Sequence, residues 1–228
     1  MRIAVIFVLL AASLVQAHPQ SSLTANTKLG GTGVIHQNAL DYLIDMGLRN
    51  NVSLGIVIEG DSLCAHRFKE SNEESTLRNL IAQIEAQVPG YTGEVRSGSV
   101  FVHPKTMQPQ TMAVLSLVVP EFSTQKSDPQ QVGVSLWMYI RAVLVPNEGS
   151  AFVGGSRSHE EAIDPFEITN ATVESILDLI MTKEKGGLWV MHQVPPDWLL
   201  NPKSVPYELY QYSGDQDLIR SLTCTSPR

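Results

Sequence analysis

Two stretches of this chain carry the same helical pattern of apolar residues, 96 positions apart. Thr76, Leu77, Leu80, Ile81 and Ile84 recur as Thr172, Val173, Ile176, Leu177 and Ile180. The same offset carries Leu40, Ile44 and Leu48 onto Leu136, Ile140 and Leu144, and Gly90 onto Gly186. Phe68 and Phe166 precede the second helix of each stretch but miss the register by two positions. Spacings of three and four put each set on one helical face. One reading is an internal duplication, with a helix–strand unit present twice. The other is coincidence between amphipathic helices, which all share this spacing.

The segments between these helices set the expected boundaries. Residues 18–34 are polar and glycine-rich and read as a flexible lead-in. A helix follows from residue 37 and closes at Gly47 and Asn50-Asn51. Residues 52–58 form a β-branched strand that ends at Gly60. The spacing predicts a helix over 73–88, with Ser71 and Glu74 as a capping box and Pro89-Gly90 as its stop. Residues 91–95 and 99–103 then read as a hairpin. Residues 112–119 read as an apolar strand closed by Pro120. The expected layout is a first α+β unit over 35–104, a linker over 105–130 holding the strand 112–119, a second unit over 131–194 and a tail over 195–228. The fold class is α+β: two similar small βαβ-type units with helices packed on short sheets. Trp137 and Trp189 lie inside the units and read as core, and Trp198 anchors the tail.

The N-terminus speaks to location. Met1-Arg2 is a short basic start, residues 3–14 are apolar, and Val15 and Ala17 place small residues where a signal peptidase needs them. This predicts a secretory signal removed after Ala17, and a secreted or periplasmic protein. The competing reading, a membrane anchor, needs about 20 apolar residues, and the run has twelve. No span is expected once the signal is removed. The formal charge of −7 argues against nucleic acid and against anionic membrane surfaces. Cys64 and Cys224 form an even pair, which in an oxidising compartment suggests a disulfide. Two buried thiols that never meet fit the spacing equally well. Asn51-Val52-Ser53 and Asn170-Ala171-Thr172 fit the glycosylation sequon, which matters only in a host that glycosylates.

No set of residues assembles a reaction. His66 and Glu70 flank Phe68 and read as a solvated edge, because a metal pair lacks its third ligand. His159-Glu160-Glu161 has no second histidine at the zincin spacing. Asp164 and Glu167 give an incomplete ligand count. Ser123 and Lys126 match S-x-x-K without its companion elements. Gly30-Gly31-Thr32-Gly33 follows no predicted strand and opens no phosphate-binding helix. No catalytic residue, cofactor or metal ligand is assigned.

A family resemblance lies in residues 68–104. An apolar strand, the helix start Thr76-Leu77, the break Pro89-Gly90-Tyr91 and a hairpin ending in Val100-Phe101-Val102 resemble the secretin and TonB short N-terminal (STN) domain. Residues 166–194 look like a degenerate copy, and the layout of the whole chain is similar to that of exported bacterial proteins. The resemblance implies protein–protein contact in the cell envelope rather than catalysis. No secretin pore segment or β-barrel accompanies it, which takes secretion and active transport out of the implied functions. The expectation is an exported non-enzymatic module whose partner is another envelope or secreted protein. An exposed sheet edge in either hairpin would accept a partner strand. The alternative is an extracellular hydrolase drawing on His66, Glu70, His159 and Glu161.

Overall fold

The computed structural model describes residues 23–31, 33–65, 67–70, 75–96, 98–145, 162–183, 187–193, 207–212 and Cys224. The lead-in is ordered over its described part. Strand β1 (Lys28–Leu29) pairs antiparallel with β5 (Ser75–Thr76), and Leu29 is buried. Strand β2 (Ile35–His36) pairs antiparallel with β4 (Phe68–Lys69).

Helix α1 (Ala39–Asn50) starts where the Asn38 side chain accepts from the Asp41 N–H, and it ends at Asn51 in the left-handed region. Strand β3 (Ser53–Ile58) follows and is buried along its whole length, as expected of a strand covered on both faces. The short helix α2 (Ser62–Ala65) carries Cys64. Helix α3 (Leu77–Gln87) is capped by Thr76, whose hydroxyl accepts from the Asn79 N–H. It therefore starts later than the predicted residue 73, and the proposed cap Ser71 and Glu74 lies outside the described residues. The predicted hairpin forms from β6 (Tyr91–Arg96) and β7 (Ser99–Pro104).

Residues 112–119 do not form the expected strand. Helix α4 (Pro109–Leu115) comes first, followed by β8 (Val118–Thr124). Pro109 suits a first helical turn, where its missing N–H costs nothing. Thr111, Val114 and Leu115 then bury one helical face. Periodicity alone does not separate a strand from a buried helix over so short an apolar run. Pro120 sits inside β8 rather than ending it. Among the described residues β8 has one partner, the antiparallel β9 (Phe166–Thr172), and proline is tolerated on such an edge. Helix α5 (Pro129–Leu144) is capped by Asp128, and α6 (Val173–Lys183) leads into β10 (Leu188–Gln193). Strand β11 (Tyr207–Tyr212) lies in the expected tail.

The mixed α+β class holds, with helices packed on short sheets. Strands from both predicted units share one five-stranded sheet in the order β11-β10-β3-β7-β6. Strands β10, β3 and β7 run parallel, while β6 and β11 close the two ends antiparallel. Alternate residues serve two cores. Leu54, Ile56 and Ile58 of β3, with Val100, Val102, Leu188 and Val190, pack against α1 and α3. Val57, Phe101, Trp189 and Met191 point the other way, against α4, α5, α6 and the β8–β9 ribbon. Each fully buried Leu, Ile or Val contributes about 1.5–3 kcal/mol. A sheet with a single helical layer would leave one of these apolar faces in water.

Helices α3 and α6 keep the 96-residue offset end to end. The strands that follow them hold different places, since β6 ends the sheet and β10 lies inside it. Cys64 and Cys224 form a disulfide with Cα atoms 5.4 Å apart, and it joins α2 to the chain's last residues.

Candidate functional site

Among the described residues, three polar clusters and the edge of β6 bring polar side chains or unpaired backbone groups together. The first cluster lies beneath the lead-in. The ring of Tyr42 on α1 stacks on Phe68 at 4.2 Å and meets His36 edge-on at 5.1 Å. Arg49, in the last turn of α1, donates to Asp45 at 2.9 Å, to the Gly30 carbonyl at 3.2 Å and to Glu70 at 3.1 Å. The other oxygen of Glu70 lies 3.5 Å from His36 Nε2. Glu70 is only 3% exposed, which corrects the expectation of a solvated edge. A carboxylate is buried only where cations or donors compensate its lost hydration, and here Arg49 supplies both. Burial, and then the Glu70 charge, raise the Tyr42 phenol well above its ordinary value. The cluster fastens the lead-in, α1 and β4 together.

The second cluster lies beyond the carboxyl ends of the parallel strands, where open sheets commonly bind ligands. Glu59, just after β3, accepts from the Gln108 N–H at 3.0 Å and from the Thr111 hydroxyl, and so caps α4. The Gln108 and Gln193 amides bond each other reciprocally at 3.1 and 2.9 Å. The Tyr91 hydroxyl donates to the Glu59 carbonyl at 3.2 Å and accepts from its N–H at 3.0 Å. Burial pushes that phenol up to about 12. These groups are committed to holding β3, β6, α4 and β10 in register.

The third cluster clamps the β6–β7 hairpin to α6. Arg96 pairs with Glu94, with Glu174 at 2.7 Å and with Asp178 at 3.5 Å. Its guanidinium also lies 3.8 Å from the centre of the Phe101 ring. Asp178 accepts from the Trp189 indole at 3.2 Å, and burial raises its carboxyl above the ordinary value.

The edge belongs to β6, which with β11 is one of the two end strands of the five-stranded sheet and has β7 as its one strand partner among the described residues. Lys105 donates to the Gly90 carbonyl at 2.7 Å. This sets the phase of the ladder, because hydrogen-bonded pairs alternate in an antiparallel ribbon. The bonding pairs are therefore Thr92 with His103, Glu94 with Phe101 and Arg96 with Ser99. The N–H and C=O groups of Gly93 and Val95 point away from β7, out of the sheet. The side chain of Val95 packs on the core beside α3.

Most of the residues singled out in the sequence do not converge. His66, His159, Glu160 and Glu161 lie outside the described residues. Asp164 and Glu167 are exposed at the start of the β8–β9 ribbon. Ser123 is exposed on β8, and Lys126 is exposed past its end. The glycine run follows β1, and Gly30 bonds to the Asn50 side chain rather than opening a helix. Among the described residues no group of three His, Cys, Asp or Glu side chains is placed to hold a metal, and no helix is long and apolar enough to cross a membrane. Reading the sequence missed the roles of His36, Arg49 and Glu59. Arg49 alone carried a local signal, as a base four residues after Asp45 on a helix. In comparisons with known proteins, the chain matches no family model, no curated protein and no solved structure.

Proposed function

We propose that this chain is an exported, non-catalytic interaction module that accepts an extended segment of an envelope or secreted protein along β6. The observation that carries this reading is the pair of outward-facing peptide groups at Gly93 and Val95 on the end strand of the sheet. Such groups template strand addition, with main-chain hydrogen bonds supplying affinity. The STN resemblance of residues 68–104, which include this hairpin, supports the same role. The basic start, the apolar run of residues 3–14 and the small residues before His18 support export with removal after Ala17. The Cys64–Cys224 disulfide is compatible with an oxidising compartment outside the cytoplasm. Among the described residues the hydrolase alternative has no assembled site behind it. Of its four residues only Glu70 is among those described, and Arg49 and His36 hold its carboxylate.

The test is retention of envelope proteins by the immobilised mature chain and by Val95→Pro. Proline removes one outward N–H, while Val95 makes no ladder bond to β7, so the hairpin is kept. The expected result is a specific partner held by the natural chain and lost by the variant, with the circular dichroism of the two alike. Equal retention by both chains, or a chain that holds neither another protein nor a second copy of itself, would refute the reading.

A further inference from the structure

We infer that the strand received by β6 is the β6 of a second copy of this chain, related by a two-fold axis at Val95. The inference rests on the proposed role of this edge and names its occupant. Among the described residues of β6, Gly93 and Val95 offer both backbone groups outward, so an antiparallel partner exchanges bonds with at least one of them. A two-fold axis normal to the sheet keeps each side chain on its own face, so opposed residues must share parity along the strand. Three alignments then bring the offered groups together. An axis at Gly93 sets Glu94 against Thr92 and pairs no charges. An axis at Glu94 sets that carboxylate against its own copy, which is destabilising. An axis at Val95 sets Glu94 of each copy directly opposite Arg96 of the other, forming two reciprocal ion pairs on one face.

The side chains suit this third alignment. Glu94 is 51% exposed on its side chain and bonds only to Arg96, whereas Arg96 is also held over Phe101 by Glu174 and Asp178. Within one copy Glu94 pairs with Arg96 two residues along the same strand. In the pair it turns to the Arg96 across the axis, and no charge is left without a partner. Edge strands commonly avoid association by presenting like charge. The alternation of Glu94 and Arg96 is instead self-complementary. The product is a continuous ten-stranded sheet, and because the Glu94 carboxylate is half-exposed its new ion pair is screened and the dimer weakens with salt.

Two measurements on the mature, disulfide-intact chain test this. In the first, Val95→Cys is oxidised and run on a non-reducing gel. Directly opposed bonded residues lie about 5.5 Å apart between Cα atoms, within the range a disulfide spans. A crosslinked dimer is expected for Val95→Cys, and none for Thr92→Cys, which would face residue 98. In the second, sedimentation velocity follows the natural chain and Glu94→Arg from micromolar to millimolar concentration at low salt. The expected result is a dimer that dissociates with added salt, and a Glu94→Arg chain that stays monomeric because Arg then faces Arg96 twice. A natural chain that is monomeric throughout, a dimer unchanged in Glu94→Arg, or equal crosslinking at positions 92 and 95 would overturn the inference. If the chain is monomeric yet holds an envelope protein that Val95→Pro loses, self-pairing alone fails and the edge keeps its role.

Discussion

Gly55 and Trp189 sit opposite each other on neighbouring parallel strands, and the indole occupies the space a side chain at position 55 would need. A Cβ there would lie 2.5 Å from the Trp189 ring. The ring cannot retreat easily, because it is fully buried and its N–H is bonded to Asp178. Gly55→Ala is therefore expected to destabilise the fold by about 1–3 kcal/mol, the usual cost of overpacking. Its denaturant midpoint should fall and its tryptophan near-ultraviolet signal should change. Tyr91 gives a prediction in pH. Its phenol rises from 10.0 unfolded to about 12 in the folded protein, chiefly through burial. The folded state thus keeps the proton that the unfolded state loses first. The associated stability is fully present below pH 10 and is lost as the pH rises towards 12. Tyr91→Phe should flatten that part of the alkaline unfolding curve, while Tyr42, raised in the same direction, keeps its share. At neutral pH the same variant should lose about 1 kcal/mol, since Glu59 loses two backbone bonds.

Helix caps are the most exposed weak points of the elements. Thr76→Ala removes the acceptor for the Asn79 N–H at the start of α3 and should cost about 1 kcal/mol in chemical denaturation. The helices and the β6–β7 hairpin were legible in the sequence for a physical reason. Apolar residues at spacings of three and four, or alternating between Gly90 and Pro104, specify their period locally. Helix α4 is not legible because the apolar run after Thr111 fits either period, and Pro109 suits a linker as well as a first helical turn. Glu70 was misread because its burial depends on Arg49, 21 positions away along the chain. The order of strands in the sheet was not legible either. Val57 and Phe101 show that β3 and β7 have a second apolar face, but nothing local says which helices cover it. The open edge of β6 was legible only as one of two hairpin edges, until the ladder fixed which peptide groups face outward.

The halves of the molecule depend on each other. Strand β3, from the first half, lies between β7 and β10, and the Ser53 hydroxyl donates to the Met181 carbonyl, 128 positions further along the chain. Residues 35–104 expressed alone would expose one side of β3 together with Val57 and Phe101. The expectation is that this fragment shows no cooperative thermal transition by circular dichroism, whereas the full chain does. Closing a loop across 160 residues restrains the unfolded chain by up to about 5 kcal/mol. Replacing Cys64 and Cys224 together by serine should lower stability by a sizeable part of that amount in equilibrium denaturation. The bond also orders events in time. Its two sulfurs lie 160 positions apart, so oxidation has to wait until the second half of the sheet has been made. Until then Cys64 is the one thiol the growing chain carries, and any bond it makes is to another molecule.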